Sequence, residues 1–429
     1  MNPVHPATTR PPRDGRRRAR TAHAVAAGGL LLTALAGCSS NFGEDETEQD
    51  DSASQQLTVL IATSGDAETD AVRAAAGAYE EESGNTVRVE VAQDINQQLG
   101  QAFAGGEPPD VFYVDSSQFA NYAEGGSLHP YGERITDVDD FSPALRQSFT
   151  RDGELVCVPK DTSSLALIVN AELWRAAGLT EADRPETWEQ LRDVAERLTG
   201  DGVTGMVTTE EYQRLGAFMR QAGGWITNAE QTAMTADSPE NAEALEFVRG
   251  MLDDGSWRYA SDLDAQWAGE AFGEGQAAMT VEGGWLAGAL AADYPDVEYE
   301  VLPLPEGPAG QGTLAFTNCW GVAQDSAHRE AAVDLVDFLT RPEQQIAMGE
   351  AFGAIPSRVS AAEDYLAEHP EQEAWGASGD WVQGPVTIQG FDTVLAQFNT
   401  DLAELRTADP DTILADLQRY GEAALDEVS

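Results

Sequence analysis

From Leu57 onward, short apolar runs alternate with stretches of helical pattern, and this alternation limits the fold more than any other feature of the chain. LTVLIATSG reads as a strand and AETDAVRAAAGAYEEESG as a helix ending at Gly84. TVRVEVAQD, INQQLGQAFAGGE and PPDVFYVDSS then read as strand, helix and strand. A βαβαβ order predicts a parallel sheet, whose ligands sit beyond the carboxyl ends of the strands. Those ends are Thr63-Ser64-Gly65-Asp66, Ala92-Gln93-Asp94 and Asp115-Ser116-Ser117, all small, polar or acidic. A second α/β region is predicted from about Leu165. Within it PETWEQLRDVAERLTG is a helix with Thr187 at its N-cap, and SPENAEALEFVRGMLDDG is entered through Ser238 with Pro239 in first position. At 429 residues, 42% of them hydrophobic, the chain exceeds what one core usually spans, so two α/β lobes are expected.

The formal charge of −49 repels DNA, RNA and anionic lipid headgroups, so no nucleic-acid partner is expected. The acids are spread along the whole length beside arginines and a single lysine, Lys160, which reads as a solvated, salt-adapted surface. Residues 1–37 differ. Arg10, Arg13, Arg16, Arg17, Arg18 and Arg20 precede AVAAGGLLLTALAG, a run too short to span a bilayer and shaped like a secretory signal. It ends in Leu35-Ala36-Gly37-Cys38, which resembles the bacterial lipobox, so Cys38 is expected to carry lipid and tie the mature chain to the membrane surface. Residues 38–56 are polar and acidic and read as a flexible tether.

Catalytic signals are weak. No G-x-S-x-G elbow occurs; His5 and His23 leave with the signal, and His129, His328 and His369 lack the spacing of metal ligands. Gly273 to Ala278 fits a dinucleotide fingerprint in letters, but no strand precedes it and no acidic ribose partner follows. Asp137, Asp139 and Asp140 begin like a calcium loop, yet Phe141 stands where an oxygen ligand belongs. Neither a cofactor nor a metal is expected. Nine tryptophans are more informative, several of them after glycine or another small residue: Trp225, Trp285 and Trp320. An indole covers the apolar face of a sugar ring while carboxylates and amides bond its hydroxyls; core packing is the competing reading for each one.

Behind the lipobox, GGEPPDVFYVDSS, CVPKDTSSLALIVNAELWRAAGL, RPETWEQLRDVAERLT, QAGGWITN, AFGEGQAAMTVEGGWL, YEVLPLPEGP, NCWGVAQDS and AAVDLVDFLTRPEQQIAMGEAFGAIPSR follow in order. That order resembles family 1 extracellular solute-binding proteins, the sugar-binding lipoproteins of ABC importers, related to maltose-binding protein. The resemblance runs from Leu57 to near the C-terminus. It implies a type II periplasmic-binding-protein clamp of two lobes, each a mostly parallel sheet flanked by helices, joined by a hinge of crossing segments. Lobe 1 would comprise 57–159 and 320–367, and lobe 2 160–319 and 368–429. It also implies a monomeric, non-enzymatic receptor that passes a carbohydrate to a transmembrane permease. A polyamine receptor and a surface glycosidase are the alternatives.

Carried over by position, Asp66 matches the cleft acid after the first strand, and Asp115, Ser116 and Ser117 the polar group after the third. Asp161 and Ser163 fall on the first hinge crossing, Asn318 and Trp320 on the return. Tyr212 matches the cleft aromatic of the second lobe, Glu282 and Trp285 the polar residue and stacking indole after AMT, and Phe391 loosely an aromatic of the C-terminal helices. Lys160 would either bond a sugar hydroxyl or pair with a carboxylate across the hinge. The family lays the crossing segments that hold Cys157 and Cys319 side by side, so these two cysteines are expected close together. An exported pair favours a disulfide; two buried free thiols are the alternative.

Overall fold

Two five-stranded sheets, one per lobe, organise the described residues. The computed structural model describes residues 54–63, 65–151, 153–377 and 381–428. The expected signal, most of the tether, Cys38 and Ser64 lie outside the described residues. In chain order the strands are β1 Gln56–Ile61, β2 Thr86–Val91, β3 Val111–Asp115, β4 Thr150–Arg151, β5 Glu154–Leu155, β6 Val158–Pro159, β7 Ser163–Ser164 and β8 Ala166–Asn170. Then follow β9 Thr204–Thr208, β10 Trp257–Tyr259, β11 Ala277–Glu282, β12 Tyr299–Leu302, β13 Thr313–Phe316, β14 Asn318–Val322 and β15 Val382–Gln383.

The first sheet has the order β2-β1-β3-β14-β6. β1 runs parallel to β2 and β3, and β14 antiparallel to both β3 and β6. The second, β10-β9-β11-β8-β12, repeats the plan, with β9, β10 and β11 parallel and β8 antiparallel to its neighbours β11 and β12. Side chains alternate across each sheet as strand geometry requires. Along β3, Val111 and Tyr113 join a cluster with Val59, Trp320, Val333 and Val336, while Phe112 and Val114 join Leu60, Phe119, Cys157 and Cys319 on the other face. In the second lobe Leu167 and Val169 point into the largest cluster, which the helices Phe391–Ala403 and Pro410–Val428 close with Phe391, Phe398 and Leu414. Both faces of β8 are covered, and all of its residues are buried.

Local signals set the helix ends. Gly84 takes φ 76° and stops the helix Asp66–Ser83, in the left-handed region that glycine tolerates. Asp94 and Asp115 cap the next two helices by accepting from the N–H of Gln97 and Ser117 at 2.9 and 2.8 Å. Thr187 and Ser238 cap theirs in the same way.

The chain leaves the first sheet after β6, and β7 pairs antiparallel with β13 of the returning segment: Ala315 faces Ser164 and Phe316 faces Ser163. Just before the crossing, Cys157 and Cys319 form a disulfide with Cα atoms 5.6 Å apart, both fully buried. Two placements lie near the ends of the expected segments. Asn318 and Cys319 already pair in the first sheet, and the helix Val359–Glu368 sends Tyr365 into a cluster with Ala166 and Ile168 of the second.

Candidate functional site

A cleft of about 600 Å³ opens where the hinge crossings meet both lobes. Its floor is the hinge: Asp161, Thr162 and Ser163 on the outward crossing, Phe316, Thr317 and Asn318 on the return. Asp115 and Ser116 enter from the end of β3, and Trp285 from the helix Trp285–Asp293 that follows β11. Six of the expected residues are thus brought together: Asp115, Ser116, Asp161, Ser163, Trp285 and Asn318.

Five do not line the cleft. Asp66 is exposed on the first turn of its helix, and Ser117 is turned outward one residue beyond Ser116. Tyr212 starts the helix Tyr212–Ala222 and packs against the core of the second lobe, 6.4 Å from the Phe398 ring. Trp320 is fully buried in the first lobe and meets Tyr113 edge-on at 4.8 Å, so alternation along β14 aims it into the core. Glu282 is fully buried, and its carboxylate accepts the Trp285 indole N–H at 2.9 Å. Phe391, the loose C-terminal counterpart, is likewise a core residue, 1% exposed.

At the back of the cleft Lys160 is nearly buried, its side chain 5% exposed. Its ammonium donates to Glu68 Oε1 at 2.9 Å and to Asp161, and Tyr113 donates its hydroxyl to the same Glu68 oxygen at 3.2 Å. The ammonium also lies 4.8 Å from the Tyr113 ring centroid and 5.3 Å from that of Phe352. Burial works to strip the proton from Lys160, but Asp161, Tyr113 and Glu68 together outweigh it and hold the ammonium well above the ordinary lysine value. A buried cation satisfied in this way joins helix Asp66–Ser83 of the first lobe to the hinge.

Glu68, Trp267, Phe316 and Phe352 line the cleft and were not singled out from the sequence. For Glu68 a signal existed: it heads the buried stripe Val72, Ala75, Ala76 and Tyr79, and a carboxylate on an apolar stripe demands a partner. Trp267 lies just before the helix Ala268–Gly273, over Gly269, where a Cβ would come within 2.1 Å of the ring. Including Asp293, four carboxylates and one ammonium line the cleft. Among the described residues no group of three or more His, Cys, Asp or Glu side chains could hold a metal ion.

A family model described as bacterial extracellular solute-binding protein matches residues 74–376. The diacetylchitobiose-binding protein DasA of Streptomyces coelicolor is 21% identical over 361 residues, covering 81% of this chain and 84% of that one. Among solved structures, an ABC substrate-binding protein of Listeria monocytogenes in complex with cycloalternan superposes with a TM-score of 0.77 at 22% identity, over 87% of this chain and 100% of that one. The cyclic alpha-maltosyl-1,6-maltose binding protein of Arthrobacter globiformis gives 0.77 at 23%, with the same coverage. At these identities the superpositions establish the fold, a type II periplasmic binding protein.

Proposed function

We propose that this chain, which belongs to the bacterial extracellular solute-binding protein family, captures a carbohydrate between its lobes and delivers it to the permease of an ABC importer. The observation that carries this reading is the composition of the cleft. Trp285, Trp267, Phe316 and Phe352 offer apolar faces, while Asp115, Asp161, Ser163 and Asn318 offer donors and acceptors beside them. A pyranose has apolar C–H faces and a rim of hydroxyls, and this pairing of rings with carboxylates and amides suits both. The sugar-binding relatives support the same class. Binding closes the lobes as a shift of population, driven by contacts that exist only when both lobes meet the ligand. The receptor acts as a monomer, is not an enzyme, and is held on the outer face of the membrane by lipid on Cys38.

The charge of the cleft favours one second reading, a cationic solute such as a polyamine, because four carboxylates outnumber the single ammonium. A thermal-shift series with mono-, di- and trisaccharides beside spermidine and putrescine separates the two. A shift with a saccharide and none with the amines supports the carbohydrate reading, and the reverse overturns it.

A further inference from the structure

Two of the groups that grip Trp285, Glu282 and Arg214, do not themselves reach the cleft. Its indole N–H donates to Glu282 Oε2 at 2.9 Å, and the same carboxylate accepts from Arg214 Nε at 3.2 Å and Nη2 at 2.8 Å. The Arg214 guanidinium carbon lies 5.3 Å from the Trp285 ring centroid and 6.0 Å from that of Phe316, and Phe316 meets Trp285 edge-on at 5.2 Å. Gly283 lies against the six-membered ring of the indole; a Cβ there would come within 2.2 Å of it. Glu282 also accepts from the indole N–H of Trp375 through its backbone carbonyl at 3.0 Å, which anchors the end of β11. Trp285 and Phe316 line the cleft, whereas Glu282, with no exposed side-chain surface, and Arg214, 11% exposed, do not.

Burying a carboxylate and a guanidinium together is costly, and a core of this size has cheaper ways to fill the same volume with apolar side chains. The pair is arranged so that its spare acceptor capacity falls on one atom, the Trp285 indole nitrogen. We propose that Glu282 and Arg214 are positioning residues: they contact no ligand and fix the Trp285 ring in the orientation in which it packs on the bound solute. With its N–H committed to Glu282, the indole offers the solute a carbon surface and no hydrogen bond. Gly283 belongs to the same device, since only a residue without Cβ leaves room for the ring. The role of Trp285 as a ligand contact rests on the carbohydrate reading above; the orientation of its ring does not.

Near-ultraviolet circular dichroism of the ligand-free protein, with the Trp285→Phe spectrum subtracted, isolates the Trp285 band. Glu282→Ala is expected to remove most of that band and to weaken binding of maltotriose or diacetylchitobiose, whichever the wild type takes up, by about tenfold. Glu282→Gln keeps an amide oxygen for the indole N–H and is expected to recover most of both. Gly283→Ala displaces the ring without touching the buried pair and is expected to lose band and affinity alike, which keeps the test open if Glu282→Ala does not fold. An unchanged band and affinity in either alanine variant overturns the proposal. A wild type that responds to none of the mono-, di- and trisaccharides of the thermal-shift series, with the band still lost in the variants, overturns the carbohydrate reading and supports the positioning role.

Discussion

At the scale of single residues, two tryptophans that look alike in sequence have opposite fates, and mutation separates them. Trp285→Ala removes a ring from the cleft wall and is predicted to weaken ligand binding by about 1.5 kcal/mol, roughly tenfold, with a smaller loss of stability than a fully buried tryptophan would bring. Trp320→Ala opens a cavity in the first lobe and is predicted to cost about 3–5 kcal/mol of stability. Calorimetry of ligand binding and urea denaturation of both variants check the pair; exchanged outcomes would contradict the placements. Lys160 supplies a second test. Its pKa is raised in the folded protein, so its contribution is complete below about pH 10.4, the unfolded value, and fades as pH rises past it. Lys160→Met leaves Glu68 and Asp161 without their cation and is predicted to cost about 3–5 kcal/mol at pH 8. In the variant those carboxylates take up protons on folding, so its deficit shrinks as pH falls toward 5; equal deficits at both pH values would contradict the pairing. Of these residues, Lys160 stands out in the sequence as the only lysine, whereas its partner Glu68 is masked by Asp66 two positions earlier, which occupies the place of the family's cleft acid. Both acids sit in the first helical turn, and only the position of Glu68 at the head of the buried stripe tells them apart.

At the scale of elements, strands and caps were legible because their signals are local. The runs before Gly65, Asp94 and Ser116 became β1, β2 and β3, and Gly84, Thr187 and Ser238 end or start helices as their chemistry requires. Which sheet an element joins is not written in local signals and was legible only through the family's order of segments. β14 is apolar on both faces, and nothing local in NCWGV says that its partners are β3 and β6, more than 150 residues earlier. That pairing brings Cys157 and Cys319 together, and their bridge spans 162 positions. Replacing both by Ala is predicted to lower stability by about 2–4 kcal/mol while leaving ligand affinity within about twofold, since neither sulfur reaches the cleft. Mass spectrometry of an unreduced digest checks the bond itself, and two free thiols there would remove the prediction's basis.

At the scale of the whole molecule, a chain of formal charge −49 with a family match over residues 74–376 and a cleft between two lobes is suited to a solute receptor working outside the cell. The two-lobe plan was readable from the order of many weak motifs; the occupant of the cleft was not, because aromatics with acids suit sugars and amines alike. Cys38→Ala is predicted to release the protein from membrane fractions, and unchanged retention would contradict the lipid anchor. The most direct test of the central claim is thermal unfolding of the wild-type protein against a panel of mono-, di- and trisaccharides. At one hundred times its dissociation constant a true ligand adds about 2.7 kcal/mol of stability. A rise in melting temperature of several degrees with at least one saccharide, and no new reducing ends after prolonged incubation, is the predicted result. No shift with any saccharide, or saccharide cleavage, would contradict it.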